Sequence, residues 1–211
     1  MHSNPTASAH CHKHKVRYAM KTSKILDEDT LNKIQISVIP ESELYKHRMR
    51  ENAILLIDSY LKKHNKAFLV RVTITYPQDY QEQPQPAHIS QFAAKIIQHF
   101  SRKGYDPKYM WAREIASSPH HHYHFAIILN GNLIQHPAKV TSKAQELWGT
   151  TIGYEAKGLV NYDNSNMIKR DNFNFKESYI KSLTMLRYLT KALSKGQAND
   201  GLRDFGMSRL Q

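Results

Sequence analysis

The feature that most constrains this chain is the segment His122-Tyr123-His124, which runs directly into the apolar stretch 125–129. In a β-strand, residues two positions apart project from the same face, and an apolar continuation anchors the strand in a core. Two imidazoles then point from one rigid element toward one spot, which is how a divalent metal site is built on a sheet. The alternative is a polar hairpin tip, since further histidines precede this pair.

One strand earlier, the segment 109–115 is rich in aromatic and apolar residues, contains Glu114, and is followed by the chain-breaking residues 117–119. Directly opposed residues of a hairpin share a face. A loop of three or five residues would therefore place Glu114 beside His122 and His124, whereas a four-residue loop would turn it away. We expect the first arrangement, a site of two histidines and one carboxylate, although Glu114 as an exposed strand residue paired with a basic neighbour is the alternative. Such ligands suit Mg²⁺ or Mn²⁺ acting on phosphate at least as well as they suit Zn²⁺.

The C-terminal region predicts a helix from about Lys176 to Lys195, because helix formers recur there and neither Pro nor Gly interrupts them. Its predicted core-facing ridge includes Ile180, Leu183 and either Leu186 or Arg187. A second stripe at helical spacing contains Tyr188, Lys191 and Lys195. A phenol flanked by ammonium groups suits a tyrosine nucleophile, because nearby positive charge favours the phenolate. The alternative is a tyrosine half in the core with a wet hydroxyl.

Together these residues resemble a known class of enzyme. His122-Tyr123-His124, followed downstream by Tyr188-Leu189-Thr190-Lys191, is similar to the His-hydrophobic-His and Tyr-x-x-Lys motifs of HUH endonucleases, the initiators of rolling-circle replication. The Thr-containing strand 68–77 matches the motif that precedes them. More narrowly, Trp111-Ala112-Arg113-Glu114 and the ending 201–209 resemble the inovirus gene II protein-like family, which includes the prophage YagK/YfjJ-type C-terminal domain. The resemblance covers roughly residues 67 to 211.

Carried over position by position, the resemblance implies roles for five residues: His122 and His124 as metal ligands, Glu114 as the third ligand, Tyr188 as nucleophile, and Lys191 as a residue that contacts phosphate or helps to position the metal. It implies Mg²⁺ or Mn²⁺ as cofactor and single-stranded or supercoiled origin DNA as substrate, with host replication proteins as further partners. Nicking would give a 5′-phosphotyrosine intermediate that can be rejoined. Because Tyr179 and Tyr188 are nine residues apart, rather than one helical turn, we expect a single-tyrosine mechanism.

The order of elements predicts an α+β fold, with helices on one face of a mainly antiparallel sheet and the HUH strand at its centre. The open face would hold metal and DNA. Arg71 and Thr73, on the polar face of the strand at Phe68 to Tyr76, and Lys195 are predicted to contact DNA. Residues 1–23 are interpreted as a flexible His-rich tail and 24–211 as one catalytic domain.

Local signals predict two helices and one short strand. Ser90 is expected to cap a helix that ends near Lys103, and Ser142 with Gln145 forms a capping-box pattern for another. The segment 158–162 predicts a short strand, followed by an Asn- and Asp-rich loop that reaches residue 174.

The charge of the chain favours a polyanionic partner, since 30 Lys and Arg against 18 Asp and Glu give a net charge of +12. The single cysteine, Cys11, excludes an intramolecular disulfide and suits a reducing compartment. Apolar stretches are too short to span a bilayer, so we expect a cytoplasmic protein without a membrane partner.

Three other functions are alternatives to a replication initiator. They are a non-catalytic DNA-binding regulator of replication or transcription, a small HUH transposase, and an unrelated Zn²⁺ protein.

Overall fold

The computed structural model describes residues 44–81, 85–114, 121–192 and 203–210. The described residues form four helices and five strands, in the order α1 (Leu44–Lys63), β1 (Lys66–Ile74), α2 (Pro86–Arg102), β2 (Lys108–Glu114), β3 (His122–Asn130), α3 (Pro137–Ile152), β4 (Val160–Lys169), α4 (Phe175–Ala192) and β5 (Phe205–Met207). The strands make one sheet of order β4-β1-β3-β2-β5, in which every pairing is antiparallel. The predicted α+β class is confirmed, and the strand that carries His122 and His124 is the central one. The predicted tail, 1–23, lies outside the described residues.

The helices lie on both faces of the sheet, so the prediction of helices on one face is wrong. α2 and α3 pack against one side of β1 and β3, whereas α1 and α4 pack against the other. The cause lies in the strands, because Phe125 and Ile127 of β3 point to the first side while Ala126 and Ile128 point to the second. A strand that is apolar on both faces needs cover on both. The face that carries His122 and His124 is the one covered by α1 and α4.

Two helices begin earlier than predicted. α2 begins at Pro86 and α3 at Pro137, not at the predicted caps Ser90 and Ser142. A proline at the first helical position has a suitable φ and lacks an N–H that would need a partner. The side chain of His136 also caps α3 by accepting a hydrogen bond from the backbone. Ser90 and Ser142 therefore lie within α2 and α3, after the residues at which these helices begin.

β4 is longer than predicted and includes most of the expected Asn- and Asp-rich loop. These residues have low strand propensity, but β1 offers backbone pairing along Val160–Lys169, interrupted by a single bulge. The Asn166 side chain also donates to the Ser178 carbonyl (2.6 Å) and the Ser182 hydroxyl (2.8 Å) on α4. A bulge in this pairing, between the partners of Arg71 and Val72, leaves Asp163 without a paired residue.

The ending that resembled the gene II protein-like family forms an edge strand, β5, which pairs with β2. The guanidinium of Arg113 donates to the Asp204 carboxylate at 2.6 and 2.9 Å, and the Arg113 backbone N–H donates to the Asp204 carbonyl at 2.8 Å. Further along, Ser208 and Tyr109 exchange two hydrogen bonds of 2.9 Å each. The ending therefore protects the edge of β2, the strand that supplies Glu114.

Gly206 allows β5 to lie against an indole, and Gly206→Ala should destabilise the protein. A Cβ at this position would lie 2.5 Å from Nε1 of Trp111, whose side chain is buried. Overpacking of this kind costs about 1–3 kcal/mol. Urea denaturation should show a lower midpoint for Gly206→Ala and an unchanged one for Arg209→Ala, an exposed neighbour. Equal midpoints for Gly206→Ala and the wild type would contradict the close packing.

Among the described residues, no helix combines the length and the apolar character that crossing a membrane requires.

Candidate metal centre and tyrosine

The β2–β3 hairpin brings three potential metal ligands together. Glu114 pairs directly with His122, and Ala112 pairs with His124, so the carboxylate and both imidazoles share one face. Nε2 of His122 lies 3.1 Å and Nε2 of His124 lies 2.7 Å from Oε2 of Glu114. Seven residues, 115–121, separate the first pair, an odd number as predicted but more than three or five. The shared face is confirmed; that these residues bind a metal stays a prediction.

Burial excludes the alternative interpretation of Glu114 as an exposed strand residue. The exposed fraction of Glu114 is 3% and that of His124 is 5%, whereas His122 is only partly buried. A carboxylate taken out of water must be compensated by neighbouring positive charge or hydrogen bonds. The cluster of Glu114, His122 and His124 is thus shielded on the side of the sheet and exposed to solvent at His122.

A hydrogen-bond chain sets the tautomer of His124. Oγ1 of Thr73 lies 2.9 and 3.1 Å from the two Asp163 carboxylate oxygens and 3.1 Å from Nδ1 of His124. The hydroxyl has one proton, and because the carboxylate only accepts, Thr73 donates to Asp163 and accepts from the Nδ1–H of His124. In the neutral ring, Nε2 therefore directs its lone pair at Glu114. Burial lowers the pKa of His124, although its contact with Glu114 opposes this effect, so the neutral ring is favoured.

The donor set fits a divalent cation. One donor atom from each of Glu114, His122 and His124 lies within 4.8 Å of the others. Lone pairs that converge in this way repel one another unless a proton or a metal ion lies between them. A metal-binding histidine usually donates its second ring N–H to a neighbouring oxygen, as His124 does to Thr73. The residues thus provide both the ligands and the support that such a site requires.

Asp163 belongs to this site but was not predicted from the sequence. Its segment has the composition of a loop, and only the bulge in β4 brings its carboxylate to Thr73. Bulges redirect side chains in this way and are frequent beside active sites. The Asp-rich composition of the segment carried no sign of this geometry.

α4 places Tyr188 beside the histidines. The ring centroids of Tyr188 and His124 are 5.3 Å apart, with the planes at 83°, and the guanidinium carbon of Arg71 lies 4.1 Å from the Tyr188 ring centroid. The tyrosine is 42% exposed, so a substrate can approach its hydroxyl from solvent. Two predicted neighbours are not described: the side chain of Lys191, in the last turn of α4, and the whole of Lys195 lie outside the described residues.

The buried face of α4 differs from the predicted ridge: it also includes Ser182, Met185 and Leu189, and Arg187 is exposed. Ile180 is 37% exposed, whereas Tyr179, Leu183 and Leu186 are buried against α1 and the sheet. The amphipathic pattern is weak because two serines share the buried face. The Ser182 hydroxyl accepts from Asn166 of β4, and the Ser178 hydroxyl donates to the Phe175 carbonyl. The nine-residue separation of Tyr179 and Tyr188 thus places them on opposite sides of the helix.

Tyr179→Phe should lower stability without altering any reaction at Tyr188. The buried hydroxyl of Tyr179 donates to the Asp58 carboxylate on α1, and removing a hydrogen bond to such a group costs about 1–3 kcal/mol. Urea denaturation should show this loss, while the rate of DNA adduct formation per folded molecule should equal that of the wild type. A slower reaction in the folded variant would implicate Tyr179 in the chemistry.

Arg71 and Thr73, the predicted DNA contacts, make internal contacts in the described structure. The exposed fraction of Arg71 is 9%; its Nε donates to Asp163 at 3.1 Å and its terminal nitrogen to the Met185 carbonyl at 3.4 Å. Thr73 is held between Asp163 and His124. Contact of these residues with DNA stays a prediction.

Comparison with known proteins identifies the family. No curated protein and no solved structure matches the chain significantly. The family model of the YagK/YfjJ C-terminal domain matches residues 28–208. This range is most of the chain and contains the candidate metal ligands Glu114, His122 and His124, together with Asp163 and Tyr188. The protein therefore belongs to the YagK/YfjJ C-terminal domain family.

Proposed function

We propose that this protein is a metal-dependent DNA nicking and joining endonuclease that initiates rolling-circle replication of a phage or prophage element. The observation that carries the proposal is the contact between Tyr188 and His124, because it puts a solvent-accessible phenol beside a cluster of two histidines and one carboxylate. A nucleophile and metal ligands at one place are what transesterification of a phosphodiester requires.

The ligands in this proposal are His122, His124 and Glu114. A bound Mg²⁺ or Mn²⁺ would act as a Lewis acid on the scissile phosphate. Two imidazoles and a carboxylate accommodate such a cation. The hydrogen bond from His124 to Thr73 fixes the orientation of the ring, and the partly buried His122 leaves the cluster accessible on the solvent side.

Tyr188 would be the nucleophile. Its oxygen attacks the phosphorus of the scissile phosphodiester, so an O–P bond to the tyrosine forms and the bond from phosphorus to the 3′-oxygen breaks. The phenol loses its proton to solvent, and the departing 3′-oxygen gains one. The resulting 5′-phosphotyrosine retains the energy of the phosphodiester, so a DNA 3′-hydroxyl can reverse the reaction and join the strand.

The charge of the chain supports a nucleic-acid substrate. A net charge of +12 attracts a polyanion and makes binding sensitive to salt. The same charge is compatible with a regulator that binds DNA without cutting it. It is equally compatible with a small transposase that uses the same chemistry, which a mapped target sequence distinguishes from a replication initiator.

A purely structural zinc site is less consistent with the cluster. Within the described part of the chain, three side chains make up the candidate centre. Structural zinc sites are usually closed by four protein ligands, whereas catalytic sites use three and leave a position for water or substrate. Tyr188 beside the cluster has no role in a structural zinc site.

The test is a nicking assay with purified full-length protein. Circular single-stranded DNA and supercoiled DNA with candidate origin sequences are incubated with Mn²⁺ or Mg²⁺ and separated on denaturing gels. We expect a protein–DNA adduct that requires the metal and is absent with EDTA. DNA that is bound but remains intact with both metals and both substrates would favour the regulator.

A further inference from the structure

We propose that Arg71 is a positioning residue for Tyr188, and that it links the orientation of the tyrosine to that of the metal-ligand histidine. The inference deepens the proposed function and rests on Tyr188 as the reacting group. It assigns to Arg71 an internal role, in place of the contact with DNA that the sequence predicts.

Arg71 is held from two elements at once. Its Nε donates to Asp163 of β4 at 3.1 Å, and a terminal nitrogen reaches the carbonyl of Met185 in α4 at 3.4 Å. These two hydrogen bonds fix the orientation of the guanidinium plane, because the donors of a guanidinium form a rigid fork. Arg71 thereby ties α4 to the sheet three residues before Tyr188.

The immobilised guanidinium forms a platform for the phenol ring. Its central carbon lies 4.1 Å from the ring centroid of Tyr188, the distance of a cation–π contact. The ring also meets His124 in a near-perpendicular contact, with centroids 5.3 Å apart. Two contacts thus define the direction of an otherwise half-exposed side chain.

Asp163 joins this platform to the metal-ligand cluster. The carboxylate accepts from Arg71 and from Thr73, and Thr73 accepts from His124. The chain His124–Thr73–Asp163–Arg71–Tyr188 is therefore continuous, and its ends meet where Tyr188 touches His124. A change in the orientation of one end would be transmitted to the other through three hydrogen-bonded links and the cation–π contact of Arg71 with Tyr188.

Positioning of this kind affects the rate of the reaction rather than the binding of DNA. A nucleophile displaced by about 1 Å can lose on the order of 100-fold in rate. A direct DNA contact, in contrast, would affect the affinity for DNA and the dependence of that affinity on salt.

Two substitutions of Arg71 separate its charge from its geometry. Arg71→Met removes the charge and the planar fork of donors, whereas Arg71→Lys keeps the charge without the planar fork. Arg102→Met is the matched control, since Arg102 is exposed at the end of α2 on the opposite face of the sheet.

The first experiment observes the ring without requiring activity. 3-Fluorotyrosine is incorporated at position 188 of the full-length protein, and its fluorine NMR signal is recorded in the wild-type background, in Arg71→Met and in Arg102→Met. We expect a shifted or broadened signal in Arg71→Met and an unchanged one in Arg102→Met. An unchanged signal in Arg71→Met would overturn the inference, whether or not the protein nicks DNA. A shifted signal in a protein that never nicks would keep the positioning role and remove the proposed function.

The second experiment measures single-turnover nicking against DNA concentration at saturating Mn²⁺. For Arg71→Met we expect the maximal rate constant to fall by about 10-fold or more, with the half-saturating DNA concentration within about 2-fold of the wild type. Arg71→Lys should recover part of the rate, and Asp163→Asn should reduce the rate non-additively with Arg71→Met, because both act through one contact. A wild-type maximal rate with weaker DNA binding would instead show that Arg71 contacts DNA and would overturn the inference.

Discussion

Tyr188→Phe should abolish the covalent DNA adduct while leaving the fold intact. Phe keeps the ring that contacts Arg71 and His124 and removes only the hydroxyl, which belongs to a side chain 42% exposed. Loss of a nucleophile lowers the rate by on the order of 10⁴-fold or more, so no adduct should be visible on a denaturing gel. The urea midpoint should match that of the wild type, because no buried polar group loses a partner.

Tyr154→Phe is the matched control for this change, since Tyr154 is a similarly exposed tyrosine that lies after α3. It should form adduct at the wild-type rate. A Tyr188→Phe protein that still becomes covalently attached to DNA would show that another residue is the nucleophile.

His124→Ala should remove metal binding and nicking together. His124 and Glu114 are buried donors of the same cluster, and Thr73 and Asp163 support the histidine from behind. Loss of a residue that merely supports a ligand costs about 10–100-fold in metal affinity, so loss of the ligand should cost at least about 100-fold. Isothermal titration with Mn²⁺ measures the change. Mn²⁺ should also raise the melting temperature of the wild type but not that of the variant, because a ligand stabilises the state it binds.

Two further variants make this result interpretable. Glu114→Gln retains the volume of the buried side chain, so it separates loss of a ligand from collapse of the site. His99→Ala removes a histidine from α2, on the opposite face of the sheet, and should bind Mn²⁺ as the wild type does. Wild-type Mn²⁺ affinity in both His124→Ala and Glu114→Gln would contradict the metal centre.

The arrangement of the three ligands could be predicted because it depends on strand parity alone. Residues at i and i+2 share a face, and an odd number of residues between Glu114 and His122 keeps the carboxylate on that face. The alternation along β1 likewise placed Arg71 and Thr73 on one side. These properties are local and hold for any odd number of residues between the paired positions, including the seven found here.

The apolar pattern of the strands also indicates that helices cover both faces of the sheet, although the sequence-based prediction placed them on one face. Leu69, Ala126 and Ile128 are apolar and lie on the face that carries the candidate metal ligands, so that face has an apolar part and a polar end. The polar end is where β2 stops and β3 starts. α1 and α4 bury the apolar part, and the site occupies the rest.

The position of Asp163 and the formation of β5 could not be predicted from local sequence patterns. The position of Asp163 depends on a bulge that appears only when β4 pairs with β1, which overrides the loop-like composition of the segment. β5 has three residues, Phe205–Met207, and gains its structure from β2 rather than from any periodicity of its own. Both depend on partners distant in the sequence.

The most direct test of the central claim is to identify the residue that becomes linked to DNA. The adduct is digested with nuclease and trypsin and analysed by mass spectrometry; cleavage after Arg187 and Lys191 should release the peptide Tyr188-Leu189-Thr190-Lys191, whereas Tyr179 would appear in the peptide 177–181. We predict that the peptide 188–191 carries a 5′-linked nucleotide on its tyrosine, and that this mass is absent when EDTA is present. A nucleotide on any other peptide, or metal-dependent cleavage without a linked peptide, would contradict the account.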